Sequence, residues 1–114
     1  MDRRVVVTGV GMISPLGIGV QASWSALCAG KSGVAPITRF DATPYDTHIA
    51  AEVKGYHPEE FMGRKEARRL ELFISYAVAA TRMAIDDSGL KITAENAGRI
   101  GVITGCGLGG LRFM

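Results

Sequence analysis

Few residues in this chain have the type and spacing to carry chemistry. Cys106 stands inside Gly105-Cys106-Gly107-Leu108-Gly109-Gly110, and a thiol in a loop at the end of a strand is a position where nucleophiles occur. Such a thiol needs a base beside it or a field that lowers its pKa. The two histidines, His48 and His57, both fall in loop-forming stretches far away in sequence. The residues therefore offer a thiol without a dyad, and the plain alternative is a small residue packed under a glycine-rich loop. The same six residues match the G-x-G-x-x-G pattern of dinucleotide sites, and Gly9-Val10-Gly11-Met12-Ile13-Ser14 nearly matches it. That chemistry also needs an acid about 20 residues on to hold a ribose. After Gly9 the corresponding stretch, Ala26 to Lys31, contains none. Tight turns with close backbone packing account for both runs. Cys28 reads as core on an apolar helix face. Two cysteines and two histidines at these spacings make no zinc motif. No metal site is expected.

The other candidate is a charge cluster. Gly63-Arg64-Lys65-Glu66-Ala67-Arg68-Arg69 sets four cations against one acid, at the start of a helix predicted over Lys65 to Ser88. A helix N-terminus already carries partial positive charge, so cations are unfavourable there, and Asp86-Asp87 repeat the mismatch at the negative end. The functional reading is one positive spot formed by Arg64, Lys65, Arg68 and Arg69, a docking surface for an anionic partner. The plain reading is a solvated face with local pairing, such as Lys65 with Glu66 or Arg68 with Glu71.

The elements that must position these groups follow from patterning. Arg3 to Thr8 reads as a buried strand, because Val5-Val6-Val7 is a β-branched run without alternation. Val20 to Ala29 reads as a helix, with Val20, Trp24, Leu27 and Cys28 on one face and Gly30 as its terminator. Lys31 to Gly55 is mostly loop, with a short strand near Ile49 to Val53. Leu70, Phe73, Ile74, Ala77, Val78, Thr81, Ala84 and Ile85 trace the apolar face of the long helix, which Gly89 ends. Thr93 to Ala97 fits a helical turn, and Arg99 to Thr104 a second buried strand. Helices between buried strands argue for an α/β fold with a largely parallel sheet. Val6-Val7-Thr8-Gly9-Val10-Gly11-Met12 is echoed by Val102-Ile103-Thr104-Gly105-Cys106-Gly107-Leu108, as if two strands left the sheet through similar loops.

Composition bounds the class. The chain has 114 residues, the size of one domain, and 47% of them are apolar against 21% charged, which excludes an intrinsically disordered chain. A net charge of +2 is too small for a whole-protein nucleic-acid footprint. No run approaches the ~20 apolar residues of a membrane span, and the apolar run after Arg4 is too short for a signal peptide. Two cysteines make no disulfide framework, so free thiols in a reducing cytoplasm are expected. A glycine-rich loop usually leads into another element. Here only Leu111 to Met114 follow, so the chain is expected to be the front part of a longer protein.

Taken in order, these residues resemble the start of β-ketoacyl-acyl carrier protein synthases. The likeness runs through Arg3-Arg4-Val5-Val6-Val7-Thr8-Gly9-Val10-Gly11-Met12-Ile13-Ser14-Pro15-Leu16-Gly17, through Trp24 to Gly30 with Lys31-Ser32-Gly33, and through Arg39-Phe40-Asp41. It continues in Asp87-Ser88-Gly89-Leu90, in Arg99-Ile100-Gly101 and in the Gly105 to Leu111 loop. The Ser14-Pro15-Leu16-Gly17 stretch resembles the elongating synthase II branch more than modular polyketide ketosynthases. Synthase I and aromatic-polyketide ketosynthases are close alternatives.

The resemblance implies an incomplete N-terminal part of a thiolase-like α/β fold, with residues 1–114 belonging to one synthase domain that forms a homodimer. It implies decarboxylative condensation of malonyl-carrier protein with an acyl-carrier protein. The nucleophilic cysteine and two histidines of that chemistry match no residue here, so catalysis is not carried onto Cys106, His48 or His57, and the chain alone is expected to be inactive. Arg64, Lys65, Arg68 and Arg69 match the docking surface for acidic acyl carrier protein. Leu108 matches the apolar residue that gates acyl-chain entry. Partners would be acyl carrier protein and acyl and malonyl thioesters, with no nucleic acid and no membrane. There would be no resident cofactor, since the phosphopantetheine arrives on the carrier protein. A non-catalytic carrier-binding fragment is the rival reading from another class, and an independent nucleotide-binding domain comes third.

Overall fold

The structure, a computed structural model, describes residues 3–110. Ser14-Pro15-Leu16-Gly17 supplies a proline-containing turn, and it folds back as a two-residue antiparallel hairpin, β1 (Ile13–Ser14) and β2 (Gly17–Ile18). The Ser14 hydroxyl accepts the Leu16 N–H at 3.2 Å, and the Gly19 N–H reaches Met12 O at 2.8 Å. Helix α1 (Val20–Cys28) follows and ends as the sequence predicts, with Gly30 in the left-handed region at φ 65° and Lys31 N–H returning to Ala26 O at 3.0 Å. Its buried side is Ser23 and Ala26. Ser23 Oγ donates to Gly17 O at 3.0 Å and lies 2.9 Å from Ser14 Oγ, which fixes helix to hairpin.

The stretch from Lys31 to Gly55 contains two strands where the sequence shows one. β3 (Val34–Pro36) pairs antiparallel with β4 (Ile49–Ala51) in the register Val34 with Ala51 and Pro36 with Ile49. Pro36 hid β3 from pattern reading, but a proline is tolerated on the open side of a two-stranded ribbon.

The long helix also differs from expectation. Lys65 to Ser88 is not one helix but two: α2 (Arg64–Ala67) and α3 (Leu72–Ser88). Helical turns continue to Leu70, whose N–H reaches Glu66 O at 3.0 Å, and the chain then extends at Glu71, with ψ 155°. No proline or glycine marks this break. The charges do mark it: Arg64 with Arg68 and Lys65 with Arg69 are like pairs one turn apart, whereas Glu71 is an acid at the true N-cap of α3. Gly89 ends α3 at φ 65° as predicted.

The apolar face predicted for α3 is not its buried side. Ser75 and Ala79 are buried, whereas Leu72, Phe73 and Ile74 are exposed. On another face of α3, at Ala80, Ala84 and Ser88, the backbone of the first glycine run comes very close. A Cβ on Gly9 would lie 2.6 Å from Ser88 N, and one on Gly11 would lie 2.8 Å from Ala84 N. The Val10 N–H between them donates to Asp87 Oδ2 at 2.9 Å. The first glycine run is thus a close backbone approach to a helix, as the plain reading holds. α3 is also held near its start by the Tyr56 hydroxyl donating to Ser75 O at 2.9 Å, and past its middle by Arg82 Nη1 donating to Phe61 O at 3.1 Å.

Two predicted buried strands are absent as such. Arg3 to Thr8 and Arg99 to Thr104 join no ladder among the described residues, and Val5, Val7, Val102 and Ile103 are exposed, Ile103 wholly so. The described pairing is antiparallel and confined to the two ribbons. Nor is the Trp24 face of α1 core: Trp24 is 60% and Leu27 56% exposed, and Cys28 is exposed too. The predicted turn near Thr93 is present, capped by Asn96 Oδ1 on the Thr93 N–H at 2.8 Å, and it continues into a single 3-10 turn at Ala97–Arg99. Among the described residues the buried apolar side chains are Ala26, Met62 and Ala79, and no large side chain is fully buried. The radius of gyration, 17.2 Å, exceeds the ~13 Å of a close-packed domain of this length.

Candidate functional site

The glycine-rich loop lies over the first turn of α3. Leu108, Gly109 and Gly110 form one side of an open cleft of about 630 Å³, and Glu71, Leu72 and Phe73 form the other, with Arg39 at its edge. Gly109 is needed there: a Cβ on it would fall 2.7 Å from Phe73 Cζ and 2.8 Å from Cys106 Sγ. Gly105 and Gly107 have open space around them, so the second Thr-Gly-x-Gly run does not repeat the helix contact of the first. The sequence echo does not extend to structure.

Leu108 is 75% exposed, an apolar side chain presented to the cleft rather than packed in a core. Cys106 is exposed and free, and neither it nor a histidine lines the cleft. His48 and His57 contribute backbone carbonyls, to Ile37 N–H at 2.9 Å and Glu60 N–H at 3.1 Å. Among the described residues no group of three or more His, Cys, Asp or Glu is placed to hold a metal ion. No helix there is long and apolar enough to cross a membrane.

The four cations come together differently from expectation. Arg64 and Lys65 lie in α2, Arg68 caps its C-terminal end and Arg69 lies in the turn beyond. All four are exposed. The N-terminal field of α3 falls on Glu71 rather than on them, so the expected addition of helix field and side-chain charge does not occur. The four cations precede in sequence the cleft wall at Glu71 to Phe73, and none of them lines the cleft.

Sequence reasoning missed a polar cluster behind this wall. Glu52, just past the end of β4, accepts the Thr38 hydroxyl at 2.6 Å, the Thr38 N–H at 3.1 Å and the Arg39 N–H at 3.2 Å. The Thr38 bonds hold its carboxyl below the usual glutamate range, with the Arg39 amide and charge helping. Arg39 Nη2 donates to Tyr76 Oη at 3.2 Å. A loop residue pairing with a partner 14 positions away leaves no local signal, although Arg39 itself belongs to a stretch that carried the family resemblance.

The sequence model described as Beta-ketoacyl synthase, N-terminal domain, matches residues 2–112. The chain belongs to the β-ketoacyl synthase family. Its relatives include proteins named 3-oxoacyl-[acyl-carrier-protein] synthase 2: one from Vibrio cholerae, 52% identical over 98% of this chain, and one from Vibrio harveyi, 54% identical over 96%. A third, from Coxiella burnetii, is 50% identical over 98% of the chain. The chain spans about a quarter of their length, 26 to 27%. Among solved structures, one titled "The ishigamide ketosynthase/chain length factor" superposes with a TM-score of 0.66 at 42% identity, covering 80% of this chain and 23% of that one. The ketosynthase fold expected from the sequence is therefore supported for this family member.

Proposed function

We propose that the chain, residues 1–114, forms the N-terminal part of a 3-oxoacyl-[acyl-carrier-protein] synthase, an acyltransferase of fatty-acid chain elongation. The observation that carries this reading is identity of 50 to 54% over nearly the whole chain to three proteins bearing that one name. In the reaction a cysteine thiol takes the acyl group from its carrier thioester and releases the carrier thiol. Malonyl-carrier protein loses carbon dioxide, and the resulting carbanion attacks the acyl-cysteine carbonyl. The cysteine thiolate leaves, and the product is a 3-oxoacyl-carrier protein two carbons longer. On this reading the nucleophile and its histidines belong to the other part of the synthase, and the chain alone carries out no condensation.

Two tasks fall to this segment. The exposed cations Arg64, Lys65, Arg68 and Arg69 dock the acidic acyl carrier protein. Leu108, standing over Phe73 in the cleft, gates the acyl chain. The phosphopantetheine arm comes with the carrier, and the segment needs no cofactor of its own. On this reading Arg3 to Thr8 and Arg99 to Thr104 become members of a largely parallel sheet in a cytoplasmic homodimer. A second reading, a polyketide ketosynthase, is favoured by the likeness to the ishigamide structure.

The test joins this segment to the remaining length of the Vibrio cholerae relative. Acyl- and malonyl-carrier protein should then give carbon dioxide and a carrier-bound 3-oxoacyl product extended once. Repeated extension without reduction favours the polyketide reading. A folded, soluble chimaera with no condensation overturns both.

A further inference from the structure

The glycine-rich loop has little to hold it. Among the described residues no backbone hydrogen bond ties Gly105 to Gly110 to the rest of the fold. Gly105 and Gly107 have nothing within 4 Å of an added Cβ, and Leu108 is 75% exposed. The close approach is at Gly109. A Cβ there would lie 2.5 Å from Phe73 Cε2, 2.7 Å from Phe73 Cζ and 2.8 Å from Cys106 Sγ. Gly109 is outside the left-handed region, so space rather than backbone conformation calls for glycine at this position. The loop therefore sets Gly109 down on the far end of the Phe73 ring. That ring stands on a fixed support. Phe73 lies in the first turn of α3. Tyr76, one turn further on, accepts from Arg39 Nη2 at 3.2 Å and is braced edge-on by the Tyr56 ring, with centroids 4.8 Å apart and planes at 72°.

A loop held by one packing contact has two states, seated and lifted, and whatever weakens the contact shifts the balance between them. We propose that Phe73 is a positioning residue for the Leu108 gate: its ring seats Gly109, and the cost of lifting the loop off that seat helps to set which acyl-chain lengths the synthase takes. This inference rests on the proposed synthase function and on Leu108 as its gate. An acyl chain too short to reach Leu108 leaves the loop seated and meets no such cost. A longer chain must displace Leu108, and the adjoining Gly109 leaves the ring with it. Phe73 thus acts through Gly109 on the discrimination between chain lengths. It takes no part in bond-making, which on this reading belongs to the other part of the synthase.

The test uses the full-length chimaera with butanoyl- and dodecanoyl-carrier protein as substrates, and it reads the ratio of their kcat/KM values. Phe73→Leu removes the Cε2 and Cζ atoms that Gly109 meets. It should raise the ratio of dodecanoyl to butanoyl about fivefold, the equivalent of about 1 kcal/mol of lost contact. Gly109→Ala, which pushes the loop off the ring, should move the ratio in the same direction, and it reads the same quantity if the leucine variant unfolds. Combining the two should bring the ratio back towards that of the wild type, because the added methyl occupies space the ring has left. A ratio unchanged in the single variants, single effects that simply add in the double variant, or equal losses on both substrates overturn the inference and leave the synthase reading standing. A wild-type chimaera that turns over neither substrate overturns the synthase reading, and the gate with it.

Discussion

Replacing Gly11 by alanine probes the tightest feature of the fold. The new Cβ would sit 2.8 Å from Ala84 N and 2.9 Å from the Ala80 carbonyl carbon. Both are backbone atoms of a helix, so no rotamer change relieves the clash, and the Gly9 to Gly11 segment must lift from α3. Overpacking of this kind costs about 1–3 kcal/mol. Lifting also breaks the 2.9 Å bond from Val10 N–H to Asp87. That bond is exposed, so its loss adds about 1 kcal/mol. The total is about 2–4 kcal/mol. Gly98→Ala is the control: nothing lies within 4 Å of its added Cβ, and the substitution should be neutral or gain about 0.4–1 kcal/mol through the unfolded chain. Denaturant melts of the full-length chimaera read both. A Gly11→Ala midpoint equal to that of Gly98→Ala would refute the close approach of this loop to α3.

Three further outcomes are expected. Reversing Arg68 and Arg69 to glutamate should raise KM for carrier-borne substrates, more at low salt than at high, and barely change turnover of a small acyl thioester; unchanged carrier kinetics would make the cluster a solvated surface. Glu52, whose carboxyl is held below the ordinary range by Thr38, stabilises the Thr38–Arg39 corner above that range. It should lose that effect as pH falls through its own lowered pKa, so the Thr38 amide signal should shift in acid and be insensitive to pH in Glu52→Gln. The 114-residue chain by itself should aggregate or remain partly ordered, because its apolar faces lie open; a sharp melt of a soluble monomer with dispersed amide signals would contradict this.

Local signals in the sequence were legible where the chain makes local structure. Gly30 and Gly89 mark the ends of α1 and α3 correctly, since a left-handed terminator acts on its own helix alone. Leu108, singled out by the family resemblance, lines the same cleft as Phe73. Burial was not legible. Val5 to Val7 have the composition of an interior strand, yet composition states what a segment can pack against and not whether the packing partner is near. The break before Leu72 was written in charge rather than in proline or glycine. The mismatch at Arg64 to Arg69 pointed to a misplaced helix start as much as to a docking surface. Arg39, Glu52 and Tyr76 meet across strand and helix, and no spacing rule connects them.

The open faces of α1 and α3 have a consequence for biosynthesis. If the proposed reading holds and the protein is as long as the Vibrio cholerae relative, of which this segment is 27%, the segment leaves the ribosome ahead of about 300 further residues. At about 5–20 residues per second, those take roughly 15–60 s to arrive. For that interval Trp24, Leu27, Phe73, Ile74, Val5 to Val7, Val102 and Ile103 stand in water. The nascent chain is then a substrate for holdase chaperones, and ribosome-bound intermediates of such a protein should be enriched in chaperone from the moment α3 emerges.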